Sequence, residues 1–254
     1  MPLDELKSQS ILVTGASDGI GLEIARHLMQ NGARVGIHYN RNRESASGLL
    51  EQFGSQGSAL FQADLSDMDN CRHLWDEVTA NFGQLDAVVL NAGVYLEHSP
   101  EEDDLKWIDT WNRSIAVNLD SAGILTKKAI QHFKSKGGGR LVYIASRAVF
   151  RGETEEYLGY AASKGGLVSL ARSVARSFGK YDIKSFILAP GFVRTAMAEQ
   201  FIETYGEQKI LDELSLPALT EPRDLAPLVA LMCSGLMDHA TGSTIDINAG
   251  SHIR

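Results

Sequence analysis

Tyr160 and Lys164, four residues apart, are the pair in this sequence best placed to move a proton. On a helix, residues at i and i+4 share a face, so the ammonium would stand beside the phenol. A free tyrosine titrates at about pH 10, and a neighbouring positive charge draws that value toward neutrality. Tyr157 is a rival for the acid role, but Ala161 stands four residues beyond it and supplies no charge. Ser146 follows an apolar run and could hydrogen-bond an oxygen on which charge develops. Far upstream, Thr14-Gly15-Ala16-Ser17-Asp18-Gly19-Ile20-Gly21 follows the first apolar run directly. Glycines there let backbone approach an anion, and a helix N-terminus supplies unpaired N–H groups and positive potential, which suits a pyrophosphate. Each feature also has an ordinary use. A Tyr and a Lys four apart are commonly a solvated pair, and glycine often opens a helix for packing reasons. The seven histidines and two cysteines show no metal-ligand spacing, so no metal is expected.

Such residues act together only if the fold positions them, and the elements alternate almost from end to end. Strands are expected at Ser10–Thr14, Ala33–Tyr39, Ser58–Gln62, Asp86–Leu90, Arg140–Ala145, Ile183–Leu188 and Ser243–Ile247. Several are nearly continuous apolar runs, the pattern of a parallel sheet covered by helices on both faces. Ile20, Ile24 and Leu28 share a face over Gly19–Asn31, with Gly32 placed to end that helix. Ser66 is positioned to cap a helix carrying Leu74 and Val78, and Ser99-Pro100 to start a further helical region. Gly137-Gly138-Gly139 closes the helix before the fifth strand, and Thr220-Glu221-Pro222 opens the last helix. With no repeat and no linker, the pattern predicts one α/β domain over residues 1–254, a doubly wound Rossmann fold with a seven-stranded parallel sheet flanked by helices.

Composition narrows the function classes. Hydrophobic residues are 44% and charged residues 22%, enough to build a core and too apolar for disorder. The formal charge of −8 argues against nucleic acid. No apolar run approaches the roughly 18 residues that cross a bilayer, and Met1-Pro2-Leu3-Asp4-Glu5 is acidic where a secretory signal is basic. Cys71 and Cys233 form no CxxC and suggest no disulfide framework. A soluble cytoplasmic protein is expected.

Thr14-Gly-x-x-x-Gly-x-Gly at the end of the first strand resembles the short-chain dehydrogenase/reductase family, and further motifs follow in that family's order over nearly the whole chain. Asp64-Leu65 follows the third strand, where the family contacts the adenine ring. Asn91-Ala92-Gly93 follows the fourth. Asn118, Ser146 and Tyr160-Ala-Ala-Ser-Lys164 come next, then Pro190-Gly191 and, four positions on, Thr195. The resemblance is to the branch that includes 3-oxoacyl-carrier-protein reductases. It implies an oxidoreductase that transfers hydride between a nicotinamide and a carbonyl or secondary alcohol, with a small molecule as substrate and a homotetramer or homodimer as the assembly. Tyr160 would be the acid/base, Lys164 its pKa tuner and ribose binder, Ser146 the polariser, and Asn118 the holder of a water in a proton relay. Cofactor contacts would come from Gly15, Ser17, Asp18, Gly19, Ile20, Gly21, Asn40, Arg41, Arg43, Asp64, Leu65, Asn91, Ala92, Gly93, Tyr160, Lys164, Pro190, Gly191, Val193 and Thr195. Ser163 is expected to pack within its helix. Ser146 and Tyr160 lie 14 residues apart, one more than the commonest family spacing, which the loop between them can absorb.

The second strand ends at His38-Tyr39-Asn40-Arg41-Asn42-Arg43, with no acidic residue before Glu44. An acid there would bind a ribose 2′-hydroxyl, whereas arginine favours a 2′-phosphate, so NADP is expected and NAD is the alternative. Asp18 weighs the other way, because many NADP-dependent relatives carry a base at that position. Substrate contacts would come from three loops. The first offers Val94, Tyr95, Leu96 and His98; the second, Arg147 to Glu153, holds Arg147 and Arg151; the third runs from Phe192 to about Leu219. The two arginines could hold a carboxylate or phosphate, or be a solvated loop paired to Glu153, Glu155 or Glu156. Met197, Phe201, Ile202 and Tyr205 read as the apolar inner face of a lid. The tail carries Asn248-Ala249-Gly250 where the family more often has Asp-Gly-Gly. Two further readings compete with reduction by NADP: an NAD-dependent alcohol or sugar dehydrogenase, and a dinucleotide-sensing regulator without turnover.

Overall fold

The computed structural model describes residues 3–254, apart from the side chains of residues 197, 200, 201, 204 and 205. Seven strands, β1 (Ser10–Val13), β2 (Arg34–Tyr39), β3 (Ala59–Gln62), β4 (Ala87–Leu90), β5 (Gly139–Ile144), β6 (Ile183–Pro190) and β7 (Thr244–Ile247), form one sheet in the order β3-β2-β1-β4-β5-β6-β7. Every pairing is parallel. The helices between them are α1 (Gly19–Gln30), α2 (Arg43–Phe53), α3 (Met68–Phe82), α4 (Asp104–Ile115), α5 (Ser121–Lys136), the single turn α6 (Ala148–Arg151), α7 (Leu158–Phe178), α8 (Ala196–Tyr205), α9 (Glu207–Leu211) and α10 (Pro222–Ser234).

Alternate strand residues feed two cores, because successive side chains point to opposite faces. Ile11, Val13, Ala87, Val89, Val142 and Ile144 pack with Ile24, Leu28, Val229 and Met232 of α1 and α10. Leu12, Val88, Leu90, Leu141 and Tyr143 pack with Leu74, Val78, Leu125, Phe133 and Leu167 of α3, α5 and α7. With both faces dry, the inner strands must be apolar throughout, which is why they read as continuous runs. The buried Tyr143 hydroxyl is satisfied by Thr126 at 2.9 Å. Cys71 and Cys233 are buried and free. Among the described residues, no helix is long and apolar enough to cross a membrane.

Two helix starts differ from expectation. Asp67, not Ser66, caps α3, its side chain accepting from the N–H groups of Asp69 and Asn70, while the Ser66 hydroxyl donates to Asp64 at 2.7 Å. The helix expected from Ser99 begins at Asp104 behind an Asp103 cap. In both places an aspartate is the acceptor that reaches the first-turn amides.

The chain runs outward from β1 in both directions, to β2 on one side and β4 on the other. That reversal leaves a crevice beyond the carboxyl ends of β1 and β4. The glycine turn, Asn91, Asn118, Ser146, Tyr160 and Lys164 all come from the loops and helices that follow strand ends on this edge.

Candidate active site

The crevice is sewn shut at its base by Thr14. Its hydroxyl accepts from the N–H groups of Asn91 and Ala92, both at 3.0 Å, and the Asn91 amide donates to the Thr14 carbonyl at 2.9 Å and the Gly15 carbonyl at 3.1 Å. The loops after β1 and β4 therefore form one rigid floor. Gly15 has φ +64°, and a side chain there would meet Ala92 at 2.9 Å. A side chain on Gly21 would overlap the Gly15 carbonyl oxygen. Bare backbone is thus required at both positions. The N–H groups of Ile20 and Gly21 find no acceptor among the described residues. Two free donors in the first turn of a helix form an anion cradle, and the residues present fit a dinucleotide pyrophosphate. Ser17 is half-buried beside it. Asp18 is exposed, with its carboxylate accepting from Gly19 N at 2.6 Å, so it is occupied in capping α1.

Beyond β2 and β3, Asn40, Arg41 and Arg43 are exposed, and neither arginine makes an ion pair with a described residue. Arg43 opens α2, where the helix dipole disfavours a cation and leaves it available to an anion. Asp64 accepts from the backbone and hydroxyl of Ser66, which hold its carboxyl below the usual range, and Leu65 beside it is buried.

At the other end, α4 and α5 are joined by a π-turn, Ala116–Asp120, that carries Asn118. Such turns often mark functional positions in helices. Asn118 is buried; its Oδ1 accepts from Val94 N at 2.7 Å, and its Nδ2 donates to the Val94 carbonyl and to the Ser163 hydroxyl, both at 3.0 Å. Ser163 donates in turn to the Tyr160 carbonyl at 2.7 Å. It therefore packs within α7 and also anchors Asn118 across to it. Lys164 is buried, donates to the Ile144 carbonyl at 2.8 Å, and holds Nζ 5.9 Å from the centre of the Tyr160 ring. Asn118 Oδ1 and Lys164 Nζ converge over Gly93, lying 3.2 and 3.3 Å from where a Cβ there would stand.

Burial sets the electrostatics of this pair. Desolvation pulls Lys164 down to about 8. It pushes Tyr160 up to about 12, against the hydrogen bond with Ser146 and with help from the Glu153 charge. The expected lowering of the phenol by its lysine neighbour is therefore not met in the chain alone: removing the hydroxyl from water dominates. The Tyr95 ring lies edge-on to the Tyr160 ring, with centroids 4.7 Å apart, and is stacked on Tyr157 at 3.8 Å. Tyr157 is thus a wall residue.

Pro190 accepts from Arg147 N, and Gly191 donates to the Ile247 carbonyl, each at 2.8 Å. Val193 is buried and pairs with Thr220 in a parallel bridge; Thr195 caps α8 and abuts Gly19, bringing the two ends of the crevice together. Phe192 is half-buried. The side chains of Met197, Phe201 and Tyr205, expected to line a lid, lie outside the described residues; Ile202 is half-buried.

Arg147 and Arg151 are not a solvated loop: their ion pairs go to Glu213 and not to Glu155 or Glu156, while the Glu153 charge acts on both from nearby. Both donate to Glu213, at 3.2 and 2.7 Å, and Arg147 is 7% exposed. Nothing near the arginines in sequence could reveal a partner more than sixty residues away. His98, expected in the substrate loop, is fully buried: its Nε2 accepts from Gly159 N at 3.1 Å and its Nδ1 faces the Leu96 carbonyl, pinning that loop to the start of α7.

His38 is the functional residue that sequence reasoning passed over. Its Nδ1 accepts from Gly15 N at 2.9 Å and its Nε2 donates to the Ala63 carbonyl at 3.1 Å, while its own carbonyl accepts from Ala16 N. A neutral imidazole thus sets the glycine turn, and burial lowers its pKa to about 4. The signal was a polar residue inside an otherwise apolar inner strand, which must hydrogen-bond something.

The family model for short chain dehydrogenases matches residues 9–206. A (3R)-3-hydroxyacyl-CoA dehydrogenase of Mus musculus is 33% identical over 260 residues, covering 96% of this chain and 96% of that protein. A 3-oxoacyl-[acyl-carrier-protein] reductase of Staphylococcus aureus is 30% identical over 252 residues, covering 97% and 99%. Among solved structures, a short chain dehydrogenase from Burkholderia cenocepacia in complex with NADP superposes with TM-score 0.89 at 28% identity, over 97% of this chain and 99% of that one. A 7α-hydroxysteroid dehydrogenase complexed with NADH and 7-oxo glycochenodeoxycholic acid gives 0.88 at 25% identity, over 97% and 96%. With its parallel seven-stranded sheet, glycine turn and matched length, the chain belongs to the short-chain dehydrogenase/reductase family of oxidoreductases.

Proposed function

We propose that the protein interconverts a carbonyl and its secondary alcohol, with Tyr160 as acid/base and NADP(H) preferred to NAD(H). The observation that carries this reading is the Tyr160 hydroxyl against Ser146, with Lys164 and Asn118 fixed behind it at the strand edge that also holds the glycine turn. The names of the two relatives, a hydroxyacyl dehydrogenase and an oxoacyl reductase, describe opposite directions of such an interconversion. The first turn of α1 would hold the pyrophosphate, Asn40, Arg41 and Arg43 the ribose phosphate, Asp64 and Leu65 the adenine, and Asn91 to Gly93 and Pro190 to Thr195 the nicotinamide end. When bound there, the reduced nicotinamide supplies a hydride.

In the reductive direction, the Ser146 hydroxyl donates to the substrate oxygen and stabilises charge on it. Tyr160, neutral at pH 7, gives its proton to that oxygen. Lys164, still mostly protonated at that pH, offsets the charge left on the phenolate. Asn118 and Lys164 meet over Gly93, so a proton returning from solvent has a polar path to the lysine. The absence of an acid before Glu44 and the exposed arginines after β2 favour the 2′-phosphate cofactor.

The test is turnover of purified protein with NADPH and with NADH on ketones, 3-oxoacyl thioesters, quinones and sugars. Tyr160→Phe should lower kcat about 100- to 10,000-fold, the usual contribution of a positioned general acid, with NADPH binding retained. An unchanged kcat in that variant would refute the role given to Tyr160.

A further inference from the structure

Next to Ser146, the wall of the site is built from charge. Arg147 is anchored by its own backbone, which donates to the Pro190 carbonyl at 2.8 Å. Its side chain is 8% exposed; Nη2 donates to Glu213 Oε2, and the buried Nη1 has no hydrogen-bond partner. Arg151, one turn on, donates to the same Glu213 oxygen. A single carboxylate oxygen thus serves two guanidinium groups while a third donor is left unfilled. Burying a cationic donor without an acceptor is costly, and a guanidinium fork matches a planar carboxylate with two parallel bonds. The cluster belongs to the reaction site. The Glu153 carboxylate interacts electrostatically with both arginines and accepts a hydrogen bond from Tyr95, and Tyr95 lies edge-on to Tyr160. Glu213 is on a separate segment, its side chain 45% exposed, beyond α9 and tied to the tail through Ser215 N and Leu216 N on the Ala249 carbonyl.

Building on the carbonyl-reductase reading, we propose that the substrate is an oxo acid whose carboxylate takes the place of Glu213 on Arg147 and Arg151 while its carbonyl faces Ser146 and Tyr160. Glu213 is the internal stand-in that holds the two arginines when no substrate is present. Arg147 directly follows Ser146 in the chain, which suits an oxo acid whose carboxylate is a few bonds from the reacting carbonyl. An acyl thioester, uncharged near its reacting carbonyl, does not fill this subsite.

Wild-type protein is assayed with NADPH on 2-oxobutanoate, acetoacetate and levulinate, each beside its methyl ester. At least one acid should exceed its ester in kcat/KM by about 10- to 100-fold, the worth of a charge-assisted hydrogen bond. Arg147→Met should erase that acid-to-ester ratio, and Arg151→Met should reduce it, which carries the test if the first variant does not fold. Glu213→Gln should raise the ratio by removing the competitor. Equal turnover of acids and esters, better turnover of acetoacetyl thioester or phosphorylated ketones than of any acid, or a ratio unmoved by the arginine substitutions would overturn the proposal. Calorimetric binding of the matching hydroxy acids, with and without Arg151→Met, reads the subsite independently of turnover. If no carbonyl is reduced but the hydroxy acids bind through Arg151, the reductase reading falls and the anion subsite stands; absent binding sinks the subsite itself.

Discussion

Two buried bases, His38 and Lys164, hold the ends of the crevice in place, and each reduces the stability of the fold over a defined pH range. The pKa of His38 in the fold is about 4 against an ordinary 6.5, so the unfolded chain binds the extra proton between those values. Stability is therefore full above about pH 6.5 and drains away as pH falls toward 4, by up to about 3 kcal/mol. His27 and His132 are lowered in the same direction by burial, so a variant must isolate the contribution. His38→Asn keeps an acceptor for Gly15 N without a titrating ring, and its urea midpoint should fall less between pH 6.5 and 4 than that of wild type. Lys164, lowered to about 8, is a desolvated ammonium with one carbonyl partner. Lys164→Met should melt higher, by about 2–4 °C for each kcal/mol of desolvation relieved, while activity falls by orders of magnitude. A variant that melts lower would mean that the Ile144 contact outweighs desolvation.

Among the elements, the strands are the most legible and the connections the least. All seven expected strands exist within two residues of their expected ends, the inner ones because a strand dry on both faces must be an apolar run wherever it sits. Helix starts slipped where serine and aspartate compete for the cap, as at Ser66 and Asp67. The tail has a departure with an energetic consequence. Ala249 has φ +51°, a left-handed backbone that costs an alanine about 1–2 kcal/mol, and its carbonyl holds the segment carrying Glu213. After allowing for the greater freedom of unfolded glycine, Ala249→Gly should stabilise by about 0.5–1 kcal/mol. Urea unfolding should give a higher midpoint with the same slope. A lower midpoint would show that the strain is relieved elsewhere in the turn.

At the scale of the whole molecule, a net charge of −8 coexists with arginines at both ends of one crevice. Arg41 and Arg43 are exposed and make no ion pair among the described residues, while Arg147 and Arg151 are tied to Glu213. Replacing Arg41 and Arg43 together by alanine should raise the NADPH KM about 10- to 100-fold and leave the NADH KM within a few-fold, because only the 2′-phosphate is lost as a partner. Equal changes in both would mean that the two arginines serve the loop alone. One solved relative is in complex with NADP and another with NADH, so a cofactor preference must be read from the chain's own loop after β2.

The sequence by itself determined the sheet, the glycine turn and the order of Asn118, Ser146, Tyr160 and Lys164, because each depends on local spacing: a 3.6-residue helical period, a two-residue strand period, a turn too crowded for side chains. Only the tertiary structure decided the electrostatics and the partners. Burial set the Tyr160 and Lys164 pKa values against the pairwise expectation, since desolvation depends on everything packed around a group. Asn118 found its anchor in Ser163, and Arg147 and Arg151 found theirs in Glu213, across separations that no local pattern spans. His38 became the support of the glycine turn because the parallel pairing of β1, β2 and β3 puts Gly15 and Ala63 on either side of its ring.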